Sequence, residues 1–435
     1  MLKFVATIAK TMINRFKSFV DGRASVFKNF LALGILQGTN FLIPLIIMPY
    51  LVTTIGIENY GIVGIIQALM VYFYSITDYG FLVSATRELA TANGNLTKIG
   101  DVFNKVFFTK MFLLVLAALL LTGLVFLIPE LTALALPIAL GFAVVVGQTL
   151  LPVWFFQGVE KMKYITYVNL FAKVIFTILI FVFIKQETDF YLVLLFLGLG
   201  NIVSGSMGLF FAVKHYNIVL KAPSIHKVKN ELKLGWEVFL ANFSIITYMS
   251  SNILILGIFA SNLIVGYYSV VEKIVVAMRQ VLVIFSQAIY PHICQLVKEN
   301  HQKVQLFFKQ VFIPFLFLFL LASLIVFYFA EEVVFIFSKS SVPEIVNLLR
   351  WLVFVPFVVA LNIPTYQTML AYGFQNSCSR ILVAGSIVNV GLNFILAPIL
   401  LAEGTAISVI ITEVFITVGL NIILIKRHPL IKLIP

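Results

Sequence analysis

The sequence predicts an all-α polytopic membrane protein: twelve transmembrane helices in two six-helix bundles around a central lumen, with both termini cytoplasmic. Three observations predict it. The 435 residues are 61% hydrophobic and only 11% charged, with a mean hydropathy of +1.07; a soluble domain carries about 25% charged residues, and no water-facing surface can be covered with so few. Apolar stretches such as Met111 to Ile128 run unbroken for close to the length a helical span needs. They do not alternate as the strands of a barrel would. Finally, Lys and Arg collect in every second connection, the signature of cytoplasmic loops.

Taken in order, residues 1–27 form a cytoplasmic amphipathic segment. Leu2, Val5, Ala9, Met12, Phe16 and Phe19 recur at gaps of three and four while Lys10, Asn14 and Lys17 fall on another face, which suits a helix lying in the membrane interface. Apolar spans follow at 28–54, 60–84, 106–128, 131–157, 165–184 and 189–213, together the N-terminal bundle, 28–213. The longest polar connection, 214–233, is a cytoplasmic linker at the centre of the chain. Spans at 234–259, 263–290, 306–330, 344–371, 381–401 and 404–425 make the C-terminal bundle, 234–425, and residues 426–435 a cytoplasmic tail. Each half enters and leaves on the same side, so an axis along the membrane normal relates the two. The first span contains Pro44 and Pro49, and the tenth Pro356 and Pro364 beside Asn362. Each proline inside a helix removes a hydrogen bond, and broken helices at membrane depth face protein or a water-filled cavity. Pro44, Pro49 and Pro364 are therefore candidate kink or gating positions, with static packing kinks as the alternative.

Charge sets the orientation. With the N-terminus inside, the outer loops hold only Lys185 and Lys339, the spans hold Lys173, Lys273, Arg279 and Arg350, and all other Lys and Arg lie on the inner side. The net charge of +12 is thus topogenic and drawn to anionic membrane lipids; it is no nucleic-acid footprint. Cys294 and Cys378 both fall on this inner side and are expected to be free thiols.

Enzyme chemistry is missing from the pattern: there is no HExxH, Walker loop or GxGxxG, and all five histidines map to inner loops or the tail. Neither a catalytic site nor a metal site is expected. The informative residues are the ionisable groups within spans, which are costly there and functional by default. Glu272 and Arg279, two turns apart, share a face with Tyr268, Ser286 and Tyr290; they either pair with each other or line a cavity. Lys273 lies about 100° around the same helix and has no partner within it. Lys173 shares a face with Asn169 and Thr177. Arg350 either joins them or reaches outward to the interface. Lys173, Lys273, Arg279 and Arg350 are the candidate substrate-binding cations of a lumen, with Glu272, Glu413 and Asp78 as coupling or charge-partner acids. Guanidinium and ammonium groups in a wet cleft attract anions and bind phosphate.

Several stretches resemble bacterial O-antigen flippases of the polysaccharide transport branch of the multidrug/oligosaccharidyl-lipid/polysaccharide exporter superfamily. These are Gln37-Gly38-Thr39-Asn40 to Pro44, Pro49-Tyr50-Leu51-Val52, Asn59-Tyr60-Gly61, Asp78-Tyr79-Gly80-Phe81 with Ala85-Thr86, Trp154 through Gln157-Gly158 to Lys163, and Ala288 to Pro291. The resemblance runs from about residue 30 to 295. It implies a flippase of the bacterial inner membrane that moves undecaprenyl-diphosphate-linked oligosaccharide units from the cytoplasmic to the periplasmic leaflet by alternating access. It also implies coupling to an H+ or Na+ gradient, no other cofactor, and an O-antigen polymerase and chain-length regulator as partners. A drug/cation antiporter of the same superfamily is the nearest alternative, favouring an acid-dominated cavity. A membrane-embedded glycan polymerase stands further off, because the outer connections are short.

Overall fold

The computed structural model describes residues 24–92 and 95–427, so most of the expected amphipathic segment over 1–27 and the tail beyond Arg427 lie outside the described residues. Among those described, the chain is helical throughout, with no strand. Helix α1 (Ala24–Asp78) is followed by α2 (Phe81–Ala90), α3 (Leu96–Leu127), α4 (Ala135–Leu150), α5 (Val153–Gly158), α6 (Met162–Phe183) and α7 (Phe190–His215). After residues 216–224 come α8 (Ile225–Phe259), α9 (Asn262–Glu299), α10 (His301–Phe307), a π-turn (Phe308–Phe312) and α11 (Ile313–Tyr328). The described residues end with α12 (Ala330–Ser338), α13 (Pro343–Leu352), α14 (Val355–Ala371) and α15 (Gln375–Arg427).

Among the described residues, nine helical segments are long and apolar enough to cross a membrane. Two of them, within α1 and α15, are pairs of helices run together across a kink, at Gly56 (φ 79°) and Leu401 (φ 52°). The boundaries expected after 54 and 401 are therefore sharp single-residue breaks instead of loops. Gly56 tolerates its positive φ because it has no Cβ; Leu401 holds the left-handed region that L side chains avoid. Helical geometry continues through Pro44 and Pro49, and through Pro364 in α14, so the non-helical dihedrals fall away from the prolines. The second part of the central polar connection is helical too: α8 begins at Ile225 and carries Lys227, Lys229 and Lys233 on its first turns. α9 is not among the nine; 38 residues long, it carries Glu272, Lys273 and Arg279.

The second limb of α1 packs against the start of α9 at unusually close range. A Cβ on Gly61 would meet the Asn262 carbonyl oxygen at 2.2 Å, and one on Gly266 the Ile57 oxygen at 2.1 Å, so only glycines allow the two backbones to approach this way. Around this seam lies the largest apolar cluster, with Ile55, Val63 and Ile66 of α1, Val145 of α4, Leu194 of α7, and Val270 and Val271 of α9. A second cluster, with Phe81, Phe103, Trp154, Phe155, Phe156 and Ile165, joins α2, α3, α5 and α6. There Tyr79 (φ 48°) and Gly80 (φ 78°) turn the chain, and the Tyr79 ring stacks on Phe239 of α8 at 4.7 Å. Lys105 of α3 bridges Glu88 of α2 (3.0 Å) and Glu231 of α8 (2.9 Å).

Candidate functional site

Four-residue spacing puts Asn169, Lys173 and Thr177 on one face of α6. α7 brings Asn201 and Ser204, one turn apart, α4 brings Gln148, and α1 brings Pro44, Tyr60 and Gln67. With Lys273 from α9 they line a cavity of about 180 Å³. Its remaining walls are apolar, including Phe176, Ile180 and Phe196. Two ammonium groups face this space and no carboxylate does. Lys273 Nζ donates to Gln67 Oε1 at 3.2 Å, a neutral acceptor. Asn201 Nδ2 donates to the Leu197 carbonyl oxygen at 2.8 Å. Asn169 Oδ1 and Ser204 Oγ are buried with no hydrogen-bond partner. A low-dielectric pocket with this lining attracts anions strongly and offers charge-assisted hydrogen bonds to phosphate oxygens.

The other ionisable groups singled out from the sequence are spread over different surroundings. Arg279 does not pair with Glu272: its Nη2 donates to Glu413 Oε1 of α15 at 2.8 Å, with Glu413 only 3% exposed. Glu272, one residue from Lys273, lies off the cavity lining, and Lys273 and Arg279 are its charged neighbours. Asp78 is taken up by Lys110 of α3 at 3.1 Å. Lys110, near the edge of the expected third span and counted from the sequence with the inner side, is a buried charge, only 1% exposed. Arg350 is exposed on α13 with its guanidinium 6.0 Å from the Phe327 ring centroid; the structure does not bring it to the cavity. Pro44 lines the cavity, whereas Pro49 and Pro364 do not.

Neutral groups were the larger omission. Gln148, Asn201 and Ser204 share the cavity with Lys173, and the three-residue gap from Asn201 to Ser204 was a usable signal. In α8, α14 and α15 a polar chain runs through Asn252–Asn393 (3.0 Å), Ser251–Asn389 (3.2 Å) and Thr365–Asn421 (2.9 Å), and Gln367 donates to Ser286 of α9.

With the geometry in place, comparison with known proteins identifies the chain's relatives. Residues 26–297 match the family described as polysaccharide biosynthesis protein. Across 94% of this chain and 99% of the relative, the sequence is 30% identical to a protein of Escherichia coli (strain K12) named "Putative O-antigen transporter". The chain belongs to the polysaccharide biosynthesis protein family.

Among solved structures, the family member described here superimposes on the inward-facing conformation of a multidrug resistance MATE family transporter of the MOP superfamily with a TM-score of 0.68, at 15% identity over 92% of this chain and 96% of that one. It also matches the lipid II flippase MurJ in an inward closed conformation, with a TM-score of 0.67 at 12% identity over 92% and 86% of the two chains. At these identities the likeness establishes the fold. The fold is that of multi-pass membrane transporters, and with the family match and the 30% identical O-antigen transporter relative the chain is a transporter and no enzyme. Some of the motifs that carried the resemblance hold helices together, while Pro44 and Tyr60 from others line the cavity. Thr86 Oγ1 donates to the Trp154 carbonyl oxygen at 3.0 Å, tying the Ala85-Thr86 stretch of α2 to the Trp154–Gly158 stretch of α5. Tyr79 stacks on α8 as described.

Proposed function

We propose that this polysaccharide biosynthesis protein flips undecaprenyl-diphosphate-linked O-antigen repeat units from the cytoplasmic to the periplasmic leaflet of the bacterial inner membrane. The observation that carries the reading is the acid-free cavity containing Lys173 and Lys273, in a chain 30% identical along nearly its whole length to a named O-antigen transporter. The diphosphate is the one fixed anionic feature of such a substrate, and two ammonium groups in a low-dielectric pocket suit it.

In this reading the chain crosses the membrane twelve times with both termini cytoplasmic. The nine long segments include the two kinked pairs, and α9 adds the last span. Residues 28–213 and 234–425 are the moving halves, with 214–233 joining them. Lys273 belongs to the C-terminal half but lines a cavity otherwise walled by α1, α4, α6 and α7, so an anion held there draws the two halves together and its release lets them part. Alternating access follows from that exchange, driven by a gradient of H+ or Na+. Arg279 and Glu413 support the C-terminal half, and Asp78 with Lys110 supports the inner end of the N-terminal half. Anionic lipids engage the basic inner face, and an O-antigen polymerase and a chain-length regulator receive the flipped unit. A drug/cation antiporter would need acids to meet a cationic drug, and the cavity lining has none.

Complementation tests the proposal. In a bacterium lacking its own O-antigen flippase but making the cognate glycan, the chain should restore surface polymer and clear lipid-linked units from the inner leaflet. A well-expressed chain that leaves those units on the inner leaflet contradicts it.

A further inference from the structure

The cavity has two chemically distinct levels. Lys173 and the Lys273–Gln67 contact make one. Asn169 sits four residues nearer the Met162 end of α6 than Lys173, about 6 Å along the helix. Ser204 lies on the same cavity wall, in α7, with Asn201 three residues before it, and Gln148 faces them from α4. This second level holds carboxamides and a hydroxyl and no charge.

Two of its groups lack partners although both are deeply buried. Asn169 is 9% exposed and Ser204 3% exposed, yet Asn169 Oδ1 and Ser204 Oγ make no hydrogen bond. A helical serine normally satisfies itself on the preceding turn, as Ser338 and Ser408 do here at 2.8 Å each. Burying an unsatisfied polar atom costs about 1–3 kcal/mol. Unpaired buried hydroxyls occur at other helix contacts too, Ser269 Oγ and Ser323 Oγ among them; Asn169 and Ser204 differ in belonging to residues that line the cavity, where a ligand can supply the missing partners.

We infer that Asn169, Ser204, Asn201 and Gln148 form a hydroxyl-binding subsite for the first sugar ring of the substrate, and that they set which ring is accepted. The inference rests on the reading of Lys173 and Lys273 as the diphosphate site. The anomeric carbon of a glycosyl diphosphate is one bridging oxygen from phosphorus, so a ligand whose phosphates meet the ammonium groups lays its first ring on the neutral level. Carboxamides donate and accept in one plane, as adjacent ring hydroxyls do, and Phe196 and Tyr60 supply apolar faces. Because the neutral level adjoins the ammonium groups in one cavity, discrimination here falls on the linkage sugar. A site that bonds a hydroxyl discriminates sharply, because a ligand without it leaves the site's buried polar groups unpaired.

The test compares two probes bound to the full chain in lipid nanodiscs by native mass spectrometry. One is undecaprenyl diphosphate; the other is the same lipid bearing a repeat unit extracted from the cells that make this chain. In Asn169→Leu/Ser204→Ala, affinity for the sugar-bearing lipid should fall about tenfold or more, from two lost hydrogen bonds, while affinity for the bare lipid stays within about twofold. Ser204→Ala alone, which removes a single atom, should show a smaller loss confined to the sugar-bearing lipid. Lys173→Gln should weaken both probes. An equal effect of Asn169→Leu/Ser204→Ala on both lipids, or no effect on either, overturns the subsite. If Lys173→Gln binds both lipids as the unaltered chain does, the diphosphate reading fails as well.

Discussion

Lys273 and Arg279 sit six residues apart on α9, about 9 Å along one helix, yet their surroundings are opposite. Arg279 is neutralised by Glu413 of α15 at 2.8 Å. Lys273 reaches a neutral carboxamide at 3.2 Å at the edge of a cavity without carboxylates. A charge inside a span is therefore not in itself a binding group. Where a carboxylate bonds it directly, the pair holds helices together; where its hydrogen bond goes to a neutral group at the edge of a cavity, the ammonium group remains within reach of a ligand. Asp78 with Lys110 repeats the first case at the other end of the N-terminal half.

The sharpest way to break the comparison is to remove both cavity cations. Lys173→Ala with Lys273→Ala should cut surface polymer about a hundredfold or more, two charge-assisted contacts at about 1.5–3 kcal/mol each, while protein levels in the membrane hold. Arg279→Ala should act on stability instead. It strands Glu413 and should cost about 3–5 kcal/mol, read as a lower melting temperature of the purified protein, and Arg279→Met with Glu413→Leu should recover most of it. A smaller loss, about 1–3 kcal/mol, is expected for Lys110→Met, because Asp78 keeps partial access to solvent, its side chain 15% exposed; adding Asp78→Asn should reverse it. Last, Arg350→Gln should change stability by less than about 0.5 kcal/mol and leave surface polymer unaltered. Loss of transport in that variant would extend the cation site to α13.

Much of the fold was legible because span length and the sidedness of Lys and Arg are local properties. Nine of the eleven expected connections are polar stretches, whereas at the other two, after 54 and after 401, the chain turns at the single residues Gly56 and Leu401, a sharpness that hydropathy does not show. Lys173 and Lys273 stood out by charge alone. Their companions did not, since Gln148, Asn201 and Ser204 are ordinary polar residues until four helices converge. Partners were least legible of all. Arg279 meets a residue 134 positions away and Lys110 one 32 positions away, distances over which helical periodicity carries no information. The Glu272–Arg279 pairing that spacing allowed gave way to a partner that only tertiary packing could bring.

The central claim is that the cavity bounded by α1, α4, α6 and α7 and reached by Lys273 holds the substrate's diphosphate. The most direct test is the dissociation constant of undecaprenyl diphosphate for three forms of the chain in nanodiscs: unaltered, Lys173→Gln/Lys273→Gln, and Arg350→Gln. The account predicts binding weakened about tenfold or more in the double variant and unchanged in Arg350→Gln. Equal binding by all three forms would contradict it.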